Sequence, residues 1–392
     1  MHKTKILYIH HGRGIGGAPL SLLYLIKGLD TTLYHPVVLF LHYSEAMDLY
    51  RAQGIEVYGP VTRSDFSHTV IWWYRWYHVK HLVGAVVDTI KLMFGEAESW
   101  LKAINPDIVH LNTSSLIAWG YAAQKLQIPV VQHIREPLAY GYFGFRRFIL
   151  QKLVAKYATA ILPISNNDAM PWQTDAKTKV VYNAVPKDLF MPAVTVTQKT
   201  EPIVLYVGGL SREKGTLLLF KLFEKVLQAY PAAKLFVAGK FDLSLRDSIF
   251  SLKRFFGEAP FKVQVATQFA KIKDSVVLLG VSSTIPALMQ QSRCIVFPAT
   301  VGHFARPIIE AGFMAKPVVA SKLAPLDELV VDGKTGFLVD PTNEGLWVKK
   351  IVELLEDEAL AEQMGKEGFI FATQKFSIPY QIEQISKVYK TL

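Results

Sequence analysis

Two glycine-rich turns contain residue types that suit the binding of an anion. One spans Gly12 to Gly17 and the other Gly208 to Gly215, and each joins a short apolar run to a longer amphipathic one. Glycine lets backbone N–H groups approach a ligand, and a helix that starts there adds a positive partial charge. Arg212 and Lys214 add two cations to the second turn. Such a group opposes the charge that develops on a departing diphosphate.

A third segment, Thr300 to Ser321, surrounds a predicted helix start with charged side chains. Pro307 suits the first turn of a helix, with His303 and Arg306 just before it and Glu310 about one turn inside. The start of this helix again favours an anion. The Glu310 carboxylate is placed to bond a hydroxyl-bearing ligand lying over the helix start. The alternative for Glu310 is a first-turn acid that only complements the helix dipole.

Histidines end several of the apolar runs in the first half of the chain. His133 closes one such run, and ligands of parallel α/β sheets bind at the carboxyl ends of strands. We therefore take His133 as a candidate site residue, with a structural histidine as the alternative. His10, His11 and His110 have similar positions but lack the His/Asp/Glu spacing of a known metal site, so no metal is expected.

The aromatic–basic stretch, residues 66–94, interleaves tryptophans and tyrosines with arginine, lysine and histidine, and the run GYFGFRRF is similar. This pattern suits a bilayer headgroup zone or a sugar- or lipid-binding lip. An ordinary helix that packs its aromatic side chains into a core is an equal alternative. The residues assigned to an acceptor or membrane surface are Trp72, Trp73, Arg75, Trp76, Lys80, Arg146 and Arg147.

Short runs rich in valine, isoleucine and leucine alternate with longer amphipathic runs along the whole chain. Continuous apolar runs indicate strands covered on both faces, and the alternation predicts doubly wound parallel sheets of the α/β class. A polar stretch, Pro192 to Pro202, separates two such series. The length of 392 residues fits two domains of moderate size.

Composition limits the class of partner and the location. The net charge of +10 favours an anionic partner. The chain lacks a long Lys/Arg block and zinc-finger spacing, so a phosphorylated small molecule or anionic lipid is favoured over nucleic acid. The single cysteine, Cys294, excludes an intrachain disulfide and is predicted to be buried. The most apolar window, Leu82 to Phe94, falls short of the ~20 residues of a spanning helix. We expect a cytoplasmic protein, with peripheral contact with the inner face of the cell membrane as the alternative.

Three C-terminal segments resemble the group 1 glycosyltransferases, also called glycosyltransferase family 4. They are Val207 to Gly215, HFARPIIEAGFMAKPVVAS and ELVVDGKTGFLVDP. Weaker matches in the N-terminal half occur in the order expected for the family and extend the likeness over nearly the whole chain. They are PDIVHLN, VVQH, ILPIS and VVYNAVPKDLF.

The resemblance implies the GT-B fold, with two Rossmann-like domains facing across a cleft. Residues 1–190 would bind the acceptor and residues 200–375 the nucleotide-sugar, with a last helix at about 378–392 packing back on the first domain. The implied activity is retaining transfer from a UDP- or GDP-sugar, without metal, to a saccharide or lipid-linked saccharide in bacterial surface polysaccharide synthesis.

The resemblance also assigns roles to individual residues. Lys214 matches the lysine that holds the donor diphosphate, Glu310 the second glutamate of the E-x-seven-E motif, which bonds the ribose, and His133 a histidine near the transferred sugar. These three form the predicted catalytic set. The predicted donor site comprises Gly16, Gly17, Gly208, Gly209, Arg212, Lys214, His303, Phe304, Ala305, Arg306, Pro307 and Glu310.

Two positions depart from the family pattern. Gly302 stands where the first glutamate of the motif is expected, and Gly209 stands where an arginine is often found. His303 or a backbone amide is the candidate substitute for the glutamate, and Arg212 or Arg306 for the arginine. Two alternatives stay open: an inactive nucleotide-sugar-binding subunit and a nucleotide-sugar epimerase of the same architecture.

Overall fold

The computed structural model describes residues 3–12, 14–70, 73–74, 78–190, 201–244, 259–282 and 284–392. Trp72, Arg75 and Trp76, as well as nearly all of the polar stretch before Pro202, lie outside these residues. The chain divides into two compact units, Met1–Val185 with Phe376–Leu392, and Pro186–Lys375.

The first unit contains a six-stranded parallel sheet in the order β3-β2-β1-β4-β5-β6. This is the doubly wound order, in which strands are added to one side of β1 as far as β3 and then to its other side from β4 onward. The central strands are continuous apolar runs buried on both faces, as predicted. The strands are β1 (Thr4–His10), β2 (Tyr34–Phe40), β3 (Glu56–Tyr58), β4 (Ile108–Leu111), β5 (Val130–Ile134) and β6 (Ala160–Pro163).

Helices cover both faces of this sheet. Those before residue 186 are α1 (Gly17–Gly28), α2 (Glu45–Ala52), α3 (Val79–Lys91), α4 (Ala97–Ile104), α5 (Ile117–Lys125), α6 (Phe145–Tyr157) and α7 (Asn166–Ala169). A π-helical turn, Leu92–Glu96, joins α3 to α4.

The second unit repeats the same strand order, β12-β11-β10-β7-β8-β9. Its strands are β7 (Ile203–Val207), β8 (Lys234–Ala238), β9 (Val276–Gly280), β10 (Cys294–Phe297), β11 (Val318–Ser321) and β12 (Gly336–Val339). Its helices are α8 (Thr216–Ala229), α9 (Ala259–Ile272), α10 (Ile285–Gln291), α11 (Arg306–Phe313), α12 (Glu344–Glu356) and α13 (Glu358–Lys375). Cys294 lies in this core, where burial raises the pKa of its thiol to about 12, so the prediction of a packed thiol is confirmed.

The last helix, α14 (Ile378–Tyr389), belongs to the first unit. Ile385 and Tyr389 join the apolar core formed by α1 and the central strands. Gly28 permits this approach, because a Cβ atom there would lie 2.6 Å from the Ile378 side chain. The C-terminal residues thereby bring a tyrosine hydroxyl under the first sheet. Among the described residues, no helix has the length and apolar character needed to cross a bilayer.

Candidate functional site

The loops that follow β7 and β10 meet at the carboxyl edge of the second sheet, because these strands are neighbours. The N–H groups of Thr300 and Val301 donate to the Glu213 carbonyl at 2.9 and 3.2 Å. The Thr300 hydroxyl donates to the Arg212 carbonyl at 2.8 Å. The second glycine turn and the segment before α11 therefore form one hydrogen-bonded structure.

Glycine is required within this turn for packing. Gly215 has a φ of +77°, and a Cβ atom there would lie 1.7 Å from the Pro298 carbonyl oxygen. A Cβ atom on Gly208 would lie 2.5 Å from the Tyr206 ring, and one on Gly209 would lie 2.6 Å from the Lys240 carbonyl oxygen. These glycines let the loops approach each other and the β8 end.

The backbone amides of the second glycine turn are largely used by the turn itself. Gly208 and Gly209 donate to the Ala238 carbonyl at 2.9 and 3.2 Å, and the Lys214 amide donates to the Ser211 hydroxyl at 3.2 Å. The Arg212 guanidinium lies 4.8 Å from the centre of the Phe261 ring on α9. The Lys214 side chain is therefore the main cation that this turn offers to a ligand.

The Lys214 amine is half-buried without an acidic partner. Its Nζ lies 3.4 Å from the Gly208 carbonyl oxygen, and no ion pair within 4.0 Å is found for it among the described residues. Burial lowers the pKa of Lys214, an effect that the neighbouring Glu213 carboxylate opposes. A lysine that loses hydration without gaining a carboxylate is suited to an anionic ligand.

The start of α11 leaves the Arg306 N–H without a capping side chain, whereas Pro307 has no N–H and the Ile308 N–H donates to the Ala305 carbonyl at 3.1 Å. Its N-cap, Ala305, has no side chain that can cap the helix, and no acid lies in the first turn. Helix N-termini leave such N–H groups free for an anion. Arg306 is the first residue of the helix rather than a residue ahead of it, and its buried Nη1 atom has no partner in the described chain.

Glu310 pairs with Arg306 one turn away. The Arg306 Nε atom donates to Glu310 Oε1 at 2.6 Å, and the glutamate side chain is only 4% exposed. Burial raises the pKa of Glu310, while the Arg306 cation opposes this rise. The arginine thus holds the carboxylate in place, and a donor to its other oxygen, Oε2, is not found in the described part of the chain.

His303, three residues before Arg306, is a neutral ring that lies 5.5 Å from the Phe297 ring. Its Nδ1 atom donates to the Val301 carbonyl at 2.9 Å, because a carbonyl can only accept. Burial lowers the pKa of His303, and the nearby Lys214 cation lowers it further. The neutral ring therefore presents a lone pair at Nε2, which accepts a hydrogen bond from a hydroxyl.

Gly302, at the position of the expected first glutamate, is closely packed. A Cβ atom on Gly302 would lie 1.9 Å from the Ala324 carbonyl oxygen. The backbone of this loop therefore occupies space that any side chain would need. A glutamate at this position would therefore require the loop to follow a different path.

His133 lies at the carboxyl edge of the first sheet, fully buried. Its Nδ1 atom is 3.0 Å from His110 Nε2, and His110 Nδ1 is 2.7 Å from the Tyr389 hydroxyl. The Tyr389 hydroxyl is in turn 2.8 Å from the Tyr8 hydroxyl. Burial lowers the pKa of both histidines well below the usual value, so both rings are neutral.

Each direction of this hydrogen-bond series leaves one donor over, either the Tyr8 hydroxyl in the core or His133 Nε2–H at the sheet edge. If Tyr8 donates to Tyr389, Tyr389 donates to His110 Nδ1, and His110 Nε2–H donates to His133 Nδ1. The opposite direction leaves the buried Tyr8 proton without an acceptor among the described residues, which is costly. The favoured direction places the proton of His133 on Nε2, a buried atom without a partner in this part of the chain. His133 is thereby set as a hydrogen-bond donor.

Replacing Tyr389 with phenylalanine is expected to let the His133 proton occupy either ring nitrogen instead of Nε2 alone. The loss of one buried hydrogen bond, about 1 kcal/mol, corresponds to roughly fivefold in turnover if His133 donates to substrate. The direct readout is the ring ¹⁵N spectrum of His133, in which Nε2 should lose its fully protonated shift. Tyr34→Phe is the control, because the buried Tyr34 ring meets the Tyr389 ring edge to face and takes no part in this series of hydrogen bonds. An unchanged His133 spectrum in Tyr389→Phe would contradict the assigned direction.

A second polar group lies next to His133 and was missed from the sequence. Asn112 follows β4 and bonds two side chains. Its Nδ2 atom lies 3.0 Å from His10 Nδ1, and its Oδ1 atom accepts from Arg135 Nε at 2.6 Å. Arg135 Nη1 also donates to the Asn183 side-chain oxygen. The available signal was that His10, Asn112 and Arg135 end or follow adjacent strands.

The first glycine turn leaves open space where a ligand was predicted. A Cβ atom on Gly16 or Gly17 would meet no atom within 4 Å, and Gly16 caps α1 without a side-chain hydrogen bond. The contribution of these glycines to a donor site stays a prediction, as does that of Phe304, Ala305 and Pro307 at the start of α11.

The aromatic–basic stretch is partly packed and partly exposed. The Trp73 ring lies 5.6 Å from the His68 ring, and Arg146 donates to the Tyr74 carbonyl at 2.9 Å. Lys80 is exposed, whereas Arg147 is half-buried. Beyond these residues, α3 with the π-helical turn after it, and the first turn of α6 with the segment before it, expose many apolar side chains: Val79, Val83, Val86, Val87, Ile90, Phe94, Tyr140, Phe143, Phe145 and Phe148.

Comparison with known proteins shows which family the second half of the chain is similar to. Residues 190–370 match the family model of glycosyl transferases group 1. The alpha-D-kanosaminyltransferase of Streptomyces kanamyceticus is 27% identical over 195 residues, 49% of this chain and 46% of that protein. The capsular polysaccharide biosynthesis glycosyltransferase CapM of Staphylococcus aureus is 28% identical over 189 residues, 48% of this chain and 46% of that protein. The matched regions thus span less than half of these curated relatives.

Solved structures extend the likeness to the whole fold. The crystal structure of Anabaena Alr3699/HepE in complex with UDP and glucose has a TM-score of 0.77 and 21% identity, and the match covers 99% of this chain and 100% of that one. At this identity the likeness shows the fold alone. Residues 190–370 are therefore similar to the group 1 glycosyltransferases, and the chain has the GT-B fold.

Proposed function

We propose that this protein transfers a sugar from a nucleoside-diphosphate donor to an acceptor hydroxyl, with retention at the anomeric carbon. The observation that carries the proposal is the Lys214 amine, which is half-buried without an acidic partner in the described chain. The start of α11, which has no side-chain cap, follows the loop that is hydrogen-bonded to the same turn. The UDP and UDP-glucose complexes of the Anabaena neighbour support a UDP-sugar as donor.

The residues of the second unit divide the work on the donor. Lys214 and the N-terminus of α11 stabilise the leaving diphosphate as the bond from the anomeric carbon to oxygen breaks. Glu310, held by Arg306, accepts from a ribose hydroxyl through its second oxygen. His303 accepts from a sugar hydroxyl through Nε2, which replaces part of the function of the glutamate absent at Gly302.

The acceptor hydroxyl attacks the anomeric carbon on the face that the diphosphate leaves. Its proton passes to the departing phosphate oxygen, so the step needs no further acid or base. We assign His133 Nε2–H as a donor to a hydroxyl of the transferred sugar. The reaction requires no metal in this proposal, since the cations named above oppose the developing charge.

The test is product analysis with a panel of UDP- and GDP-sugars and saccharide or lipid-linked acceptors. Transfer with an unchanged anomeric configuration, read by NMR of the product, is expected. Inversion at the anomeric carbon would contradict the proposal. Donor binding without transfer or hydrolysis would instead favour the inactive nucleotide-sugar-binding subunit, an alternative that the glycines at 209 and 302 motivate. Conversion of the free donor without acceptor would favour an epimerase.

We further propose that the enzyme works at the inner face of a bacterial cell membrane on a lipid-linked acceptor of a surface polysaccharide. Val79, Val83 and Val87 form part of one exposed apolar face of α3, while Asp88 is turned inward and accepts from the Ser64 amide at 2.9 Å. Lys80 and Lys91 are exposed on the same helix. An apolar face flanked by cations suits the surface of an anionic bilayer.

The protein is expected to float with vesicles of anionic phospholipid at low salt. Val83→Asp combined with Val87→Asp should abolish flotation, because two charges would enter the bilayer interface. Val281→Asp is the matched control, since Val281 is 84% exposed in the second unit. If the unaltered protein stays with the pellet at low salt, membrane contact is excluded.

A further inference from the structure

Arg135 is a buried cation without a counter-charge. Its side chain is 6% exposed at the carboxyl end of β5, and no carboxylate lies within 4.0 Å of it among the described residues. Its partners are the uncharged oxygens of Asn112 and Asn183, and its Nη2 atom has no partner in the described chain. A buried charge is costly unless it is paired, so a folded protein rarely keeps one without a use.

The hydrogen bonds around Arg135 fix the proton of His10. Arginine can only donate, so Asn112 must present its oxygen to Arg135 and its amino group to His10 Nδ1. His10 Nδ1 therefore accepts, and the neutral ring carries its proton on Nε2. That atom is buried and has no acceptor in the part of the chain described.

Three of the unpaired atoms at this edge are N–H donors. His10, Asn112 and His133 follow one another across β1, β4 and β5, and Arg135 lies two residues beyond His133, so all four side chains lie on one face. These donors are His10 Nε2, His133 Nε2 and Arg135 Nη2, and His11 Nδ1 beside them is a further unpaired atom. Three N–H donors and one net positive charge call for a ligand with several acceptor oxygens and a negative charge.

We propose that Arg135 and His10 bind an anionic group, a phosphate or a carboxylate, on the acceptor substrate. This inference rests on the proposed function. In that proposal Lys214 and the start of α11 in the second unit bind the donor diphosphate, so an anion bound by Arg135 belongs to the acceptor. Arg135 gives the first unit its own anion site. The acceptor is accordingly a sugar phosphate, a lipid-linked phosphate or an acidic saccharide rather than a neutral sugar.

Inorganic phosphate added to the protein saturated with UDP is the probe, at constant ionic strength. The ring ¹⁵N resonances of His10 and His133 should shift with phosphate, and the same titration should raise the melting temperature. This measurement requires no variant. Absence of any phosphate-dependent shift at His10 in the unaltered protein would overturn the proposal.

Two variants separate the acceptor anion from the donor diphosphate. Arg135→Met should lower the affinity for phosphate at least tenfold and change the affinity for UDP less than twofold. Gly12→Ala should also lower the affinity for phosphate, because the alanine methyl group would lie 2.8 Å from His10 Nε2 and cover that donor. If Arg135→Met weakens UDP as strongly as Lys214→Ala does, the anion is the donor diphosphate and the proposal fails.

Failure of the proposed function has a different signature. A protein that binds no UDP at all contradicts the proposed donor site, yet phosphate would still shift the His10 resonance if the Arg135 site exists. Acceptors with and without a phosphate then complete the test. A neutral saccharide used as well as its phosphorylated form by the unaltered enzyme would also overturn the inference.

Discussion

Lys214→Ala is expected to lower sugar transfer by about 10²-fold or more, equivalent to about 2.7 kcal/mol of barrier. The reason is that this amine has no acidic partner in the described chain, so its charge is available to the leaving diphosphate. Most of the loss should appear in kcat, because the charge on the leaving oxygen develops only in the transition state. Steady-state kinetics with a UDP-sugar measures the split.

Lys221→Ala is the matched control for that substitution. Lys221 lies on α8, just beyond the same turn, and is exposed. Its removal changes the net charge equally but should leave turnover unchanged. Full transfer activity in Lys214→Ala would remove this lysine from the mechanism.

Gly302→Glu, which restores the family pattern in the sequence, is expected to damage the protein. A Cβ atom at Gly302 would lie 1.9 Å from the Ala324 carbonyl oxygen, so the loop before α11 must move. Overpacking of this kind costs about 1–3 kcal/mol of unfolding free energy. The affinity for UDP should fall as well, since the moved loop carries His303 and leads into α11. Chemical denaturation and calorimetric titration with UDP measure the two effects.

Gly302→Ala separates the steric cause from the charge. The alanine has the same Cβ atom and no carboxylate, so it should reproduce most of the loss of stability. A glutamate variant with unchanged stability and tighter donor binding would show that the loop has room for the missing side chain. In that case the departure would be a lost contact rather than a different loop path.

The fold could be predicted because it depends on local patterns. Continuous apolar runs bounded by turn residues correctly predicted the buried parallel strands, and Pro307 correctly marked the first turn of α11. The alternation of runs does not encode register, and register decides which polar side chains meet. For this reason the sequence predicted a site at Lys214 and at the segment from Thr300, but it did not show that Thr300 bonds the turn that carries Lys214.

The polar groups of the first unit were beyond sequence reasoning because their members are distant in the chain. His110 and Tyr389 are separated by 279 positions, and His10 and Asn112 by 102. Only the packing of α14 brings the Tyr389 hydroxyl to His110. Arg135 was visible as a residue after a strand, yet its lack of a carboxylate partner is a property of the folded chain.

The two departures from the family pattern read differently once the backbone is known. In the sequence, Gly209 and Gly302 look like lost functional side chains. In the structure, Gly209 has a φ of +66° and lies against the Lys240 carbonyl, and Gly302 lies against the Ala324 carbonyl. Both positions therefore require glycine for the observed loop paths.

The central claim is a nucleotide-sugar site on the second unit, and a thermal-shift series tests it most directly. UDP, GDP and their sugars are added to the unaltered protein and to Lys214→Ala. The account predicts that at least one diphosphate raises the melting temperature, by an amount equivalent to about 2.7 kcal/mol at 100 times its Kd, and that Lys214→Ala reduces the rise. No shift with any of these nucleotides, or an equal shift in Lys214→Ala, would contradict it.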